Sequence, residues 1–205
     1  MGILQHTLGI LLRPGTEWKA IRNEKNSFLQ VFISHVPFLA PIPAVSAYIG
    51  VTQVGWTVAD GDAIKLTAAS AASLCALAYV ALLAGVYVLG EFVNWMSKTY
   101  GVQGDEATRH YEATALAVYV STPILLAGIA NLYPELWFVI GIMGLAGTYA
   151  VFLVYQGIPI LMNISKDQAF MYASSVVTVA LVLMVTVLVA TVVIWGMGVG
   201  PVYVD

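Results

Sequence analysis

Ionisable side chains inside long apolar runs are the natural places to look for chemistry, because each costs about 3 kcal/mol at the centre of a bilayer. This sequence has few of them. His35 lies in a run that begins at Phe28, and Glu91 lies in one that ends near Lys98, each about seven residues from the same end of its segment. At ~1.5 Å per residue, helices would place both ~10 Å below one surface, in one layer. The same depth in the other apolar runs reaches Tyr119, Tyr149 and Ser174 or Ser175, and Asn94 lies one turn from Glu91 on the same face. Two uses follow for such a layer. It is a clasp that fixes helix register, the simpler reading, or it is a proton or cation site in a small transporter. Glu112 and His110 fall nearer the expected water boundary. His6 and His110 are far from His35 in sequence and expected depth, so no metal set is expected.

Nothing else has catalytic spacing. The chain has no HExxH, no GxSxG, no phosphate-cradling glycine loop, no paired carboxylates on adjoining faces and no Cys–His couple. No catalytic residue, no cofactor and no enzymatic activity are therefore expected. The single cysteine, Cys75, sits in an Ala/Leu run and reads as a small packing residue. With a net charge of -3 and no basic stripe, nucleic acid is excluded as a partner.

The elements that must hold these residues are membrane helices. Of the 205 residues 60% are hydrophobic and 9% charged, against roughly 25% charged in a soluble domain. One water-soluble core could not hide that apolar surface. Five runs reach the ~20 residues that cross the hydrocarbon layer: approximately 28–56, 64–98, 111–130, 136–156 and 168–197. The first is interrupted by Pro37, Pro41 and Pro43, where kinks are expected. Residues 1–27 mix apolar and charged side chains and restart at Pro14-Gly15, as one or two interfacial helices would. The expected fold class is all-α: a polytopic membrane protein, a bundle of five transmembrane helices with an N-terminal interfacial helical segment.

Five spans put Arg13, Lys19, Arg22, Lys25, Lys98, Arg109 and Lys166 on one side and Lys65 alone on the other. Basic residues mark the cytoplasmic side, so the N-terminus is expected inside and the C-terminus outside, with Asp60, Asp62, Glu135 and Asp205. Trp18, Trp56, Trp95, Trp137 and Trp195 fall near expected span ends, as an aromatic belt would. Small residues recur at Gly141, Gly144 and Gly147 and at Ala68, Ala72 and Ala76, spacing that lets helix backbones approach within one chain or between copies. In the segment between the last two spans, Gly157 reads as a helix end, Pro159 as a bar to its continuation, and Ser165 with Gln168 as the capping box of the last helix.

Pro14, Trp18 and Ile21 in LLRPGTEWKAI, Tyr119 and Pro123 in AVYVSTP, and Tyr155, Gly157, Pro159, Met162, Lys166, Asp167, Ala169 and Tyr172 in YQGIPILMNISKDQAFMY occur in an order that resembles the Yip family, the Ypt/Rab-interacting membrane proteins, in its short bacterial inner-membrane form. The resemblance implies five spans, a cytoplasmic N-terminus and residence in a bacterial inner membrane. In eukaryotic members it implies binding of prenylated Rab-type GTPases through a longer N-terminal region. Here that region is short and carries no Asp-Leu-Tyr-Gly, so Rab-type binding is not expected. Tyr155, Gly157, Pro159, Lys166 and Asp167 are the candidate docking surface on the basic side. The expected partners are the lipid bilayer and a second copy or other membrane proteins. The function expected is a non-enzymatic membrane-organising or partner-binding scaffold; the alternative is an ion, proton or solute transporter using the layer around Glu91 and His35.

Overall fold

Four of the long helices begin where a side chain caps them. Ser27 accepts from the Gln30 amide (3.2 Å), Thr67 from Ser70 (3.4 Å), Asp105 from Thr108 (3.1 Å) and Ser165 from Gln168 (3.4 Å), each satisfying an amide that the helix cannot. In the computed structural model, which describes residues 3–24, 26–57 and 62–204 without the side chains of Ile3 and Leu4, these caps open α3, α5, α6 and α8. Lys25, Asp60 and Asp205 from the charge comparison lie outside the described residues.

The elements run α1 (Ile3–Leu12), α2 (Pro14–Arg22), α3 (Phe28–Leu39), α4 (Pro41–Ile49), α5 (Ala68–Ser97), α6 (Glu106–Ala127), α7 (Leu136–Leu161) and α8 (Lys166–Gly196). Among the described residues five helical stretches are long and apolar enough to cross a membrane: Phe28–Val54, Ala68–Ser97, Glu106–Leu132, Leu136–Leu161 and Lys166–Gly196. The first is α3 and α4 in series, broken at Ala40 before Pro41, carried on by a π-helical turn at Gly50–Val54 and holding Pro37 inside α3. A 3-10 turn, Gly128–Leu132, finishes α6 before the short link to α7.

α6 is the axis. In its most apolar stretch 72% of residues are buried, against 6% in α5 and 0% in α8, whose outward faces must meet lipid or other protein. Its buried run of Ala113, Thr114, Ala115, Ala117 and Val118 explains why. Small side chains let α5 close in, so that a Cβ on Gly90 would stand 3.4 Å from the Thr114 Cα.

At the basic end, α2 meets the C-terminal end of α7 and the start of α6. The Tyr111 hydroxyl donates to the Ile21 carbonyl (2.8 Å), and Arg22 reaches Asn163 (3.4 Å). The N-terminal helices seal this end: Ile10, Trp18 and Ile21 are completely buried. Trp18 therefore departs from the belt expected for it, whereas Trp95 and Trp137 remain about three-quarters exposed, at 74% and 76%.

The Gly157–Pro159 helix end is also corrected. α7 continues through both residues to Leu161. Gly157 is needed for close approach, since a Cβ there would lie 2.8 Å from the Trp18 ring and 2.9 Å from a Leu116 methyl. Pro159 sits in the last turns, where the one amide it lacks is tolerated in a bundle. At the opposite end two antiparallel bridges hold the segment before α5: Trp56 to Ile64 ties it to the chain after the first span, and Leu66 to Tyr203 ties it to the chain after α8. Lys65 lies there, its ammonium on the Gln53 carbonyl (2.6 Å).

Candidate functional site

Among the described residues, the polar groups around α6 include two separate histidine clusters. In the first, α3 brings His35 against α6, where its Nε2 is 3.0 Å from the Thr122 hydroxyl. That hydroxyl donates to the Val118 carbonyl (3.3 Å), so it accepts from His35, which fixes the ring proton on Nε2. Both residues are buried. The Tyr119 ring packs edge-on to His35, with centroids 4.9 Å apart.

Tyr119 then links His35 to a residue that sequence spacing had set apart. Its ring lies 5.6 Å from that of His6 and 6.3 Å from that of Trp18. His6 is buried and stands between two carboxylates: Nδ1 is 2.5 Å from Glu17 Oε1, and Nε2 is 2.9 Å from Glu24 Oε1. The expected distance of His6 from His35 is thus corrected, because the α1–α2 hairpin folds back onto α6. The carboxylates approach the imidazole from opposite sides, so the three are not arranged around one point. Among the described residues no group of three or more His, Cys, Asp and Glu has metal-holding geometry.

Glu91 belongs to the second cluster. It bonds His110 Nε2 at 2.8 Å, and the His110 ring stacks on Phe28 with centroids 3.9 Å apart. The structure therefore does not bring Glu91 onto His35. Asn94 is half-buried one turn further along α5. Glu112, expected near water, is buried beside Arg22 at 3.9 Å. Tyr149 donates to the carbonyls of Ile10 (3.2 Å) and Leu11 (2.9 Å), holding the end of α1 against α7. Ser174 bonds the Tyr155 hydroxyl (2.9 Å) and so joins α7 to α8. Next to it, Tyr100 stacks on Tyr172 and reaches Ser175 (2.5 Å), and Tyr172 bonds the Val93 carbonyl.

Of the candidate docking residues, Lys166 and Asp167 are exposed at the start of α8, where the acidic side chain complements the helix N-terminus. Tyr155 is half-buried. Gly157 is inside, under Trp18. Outside the membrane-spanning stretches Asp105 caps α6, and its bonds to Thr108 hold its carboxyl below the ordinary carboxylate value.

His6 with Glu17 and Glu24 is the part that sequence reading missed. The signal was present: Pro14 starts a helix right after another, and a hairpin folded at Arg13 sets position 9 opposite position 17. Gly9 fits this closely, since a Cβ there would run into the Glu17 carboxylate.

The comparisons agree with the sequence elements. The chain is 34% identical over 199 residues to an inner membrane protein, YohC, in two strains of Escherichia coli, covering 95% of this chain and 98% of the relative. No solved structure matches. The model of the Yip1 domain matches residues 8–198, from within α1 to just past the end of α8. The span of that match and the full-length similarity place this chain in the Yip1 domain family of membrane proteins.

Proposed function

We propose that the chain is a non-enzymatic platform in a bacterial inner membrane, N-terminus in the cytoplasm and C-terminus outside, whose outward helix faces assemble with a second copy or with other membrane proteins. The observation that carries this reading is the uncovered small-residue stripe of α7. A Cβ on Gly141, Gly144 or Gly147 would meet nothing within 4 Å, although stripes of this kind exist in bundles to let another helix approach. The polar groups support it from the other side: His35, Glu91, Tyr149 and Ser174 are each engaged by a partner in the fold. Two surface hollows among the described residues are peripheral. One is lined by Ser70, Leu74 and Gly200 and the other by Leu181, Val185 and Val189 on α8. The orientation rests on the segregation of Lys and Arg.

A photo-crosslinking side chain at Gly144, in native membranes, tests the platform. It is expected to give a discrete protein adduct; adducts with lipid alone would overturn the reading.

One observation favours the transporter alternative. His6, Tyr119 and His35 form a continuous line of titratable rings from the N-terminal hairpin into the bundle. A proton or cation flux through reconstituted protein, lost in His35→Gln, would establish that alternative; loss in Glu91→Gln would assign it to the second cluster.

A further inference from the structure

The His6 trio raises a question of proton count. Glu24 Oε2 accepts from the Asn26 side-chain amide (2.9 Å), so this carboxylate is arranged as an acceptor and its Oε1 calls for a donor on His6 Nε2. With the proton on Nε2, a neutral imidazole would turn the bare lone pair of Nδ1 toward Glu17 Oε1, only 2.5 Å away. Two acceptors at that distance repel. One more proton removes the conflict, and the imidazole is the more basic of the groups that could hold it.

We infer that His6, Glu17 and Glu24 form a proton-binding site, an imidazolium clamped between two carboxylates, and that the bound proton latches the α1–α2 hairpin onto the bundle. The site joins α1 to α2 and to the chain leading into α3, across 11 and 18 residues of sequence. Nothing in this depends on the platform reading. Neighbouring elements place further titratable groups around the trio. α6 presents Tyr119 to it, with Tyr111 held on the Ile21 carbonyl and Glu112 beside Arg22. α3 presents His35 across the Tyr119 ring, and α7 presents the Tyr149 hydroxyl, engaged by α1 carbonyls. The second carboxylate of the clamp depends on Gly9, because any side chain at that position would displace the Glu17 carboxylate. Since the docked hairpin holds the proton between its two carboxylates, loss of that proton weakens docking.

The test uses full-length protein in lipid nanodiscs with nitrogen-15 histidine, whose three imidazoles are assigned by His6→Gln, His35→Gln and His110→Gln. At neutral pH both His6 ring nitrogens are expected to give the protonated, imidazolium-type signal. A neutral pattern, with one bare nitrogen, would overturn the site. Hydrogen exchange of the α1 amides, corrected for intrinsic rate, then tests the latch: as the His6 proton is lost it is expected to accelerate on the order of tenfold, the loss of one charge-assisted hydrogen bond. Unchanged exchange while the His6 signal titrates would overturn the latch. Gly9→Ala, which moves Glu17 without removing any member of the trio, is expected to raise α1 exchange at pH 6; if it leaves both exchange and the His6 signal as in the parent, the clamp is refuted.

Discussion

Two glycines of one helix show what a single methyl group decides. Gly157 faces Trp18 and Leu116 at distances no Cβ tolerates, while Gly144 faces nothing. Gly157→Ala is therefore expected to destabilise by about 1 to 3 kcal/mol through overpacking, and Gly144→Ala to leave the thermal midpoint of dispersed protein in detergent unchanged. Equal midpoints for the two variants would contradict the seat assigned to Trp18. Thr122→Val keeps the shape but removes the acceptor for His35 Nε2, and it should cost about 0.5 to 2 kcal/mol in the same melting measurement. At the membrane boundary, the lowered value of the Asp105 carboxyl means that its contribution is fully present above the ordinary carboxylate value and is lost as pH falls through the lowered one. The stability difference between parent and Asp105→Asn should accordingly shrink on acidification over that window; a difference independent of pH would remove Asp105 from the account.

The helices themselves were legible to very different degrees. Hydropathy is a local signal, and the spans with their Ser165–Gln168 cap could be read because a long apolar run has few alternatives in a bilayer. The Gly157–Pro159 element could not, because Gly and Pro carry the same local meaning at a helix end and inside a kink-tolerant bundle helix. What separates the two cases is Trp18, which lies about 140 residues away in the chain and fills the space a side chain would need. The polar layer was legible in part, since Tyr119 packs on His35, and Glu91 falls outside that contact for a related reason. Depth counted along each helix places residues at a height but not around the helix, so Glu91 shared a level with His35 on paper and pairs with His110 in the fold. α2 is held largely by Trp18 and Ile21. Trp18→Ala should thus weaken docking of the hairpin by about 3 to 5 kcal/mol, seen as fast hydrogen exchange throughout α2 with the exchange of α6 unchanged. Loss of protection in α6 as well would show that the hairpin and the bundle form one cooperative unit.

At the scale of the molecule, one buried helix surrounded by outward-facing ones gives a closed centre and a large apolar periphery. α6 is packed by small side chains over its buried stretch, where Tyr111 and Thr122 are bonded to neighbours within the bundle. The family relationship covers nearly the whole chain and fits a fold in which the N-terminal hairpin is part of the domain. On the function proposed above, such a molecule acts through its outward faces. The account stands or falls on whether the centre is closed. Purified protein reconstituted into liposomes, with proton and monovalent-cation movement followed under an imposed gradient, measures this directly. The account predicts rates equal to those of protein-free liposomes; a saturable flux that His35→Gln or Glu91→Gln abolishes would contradict it.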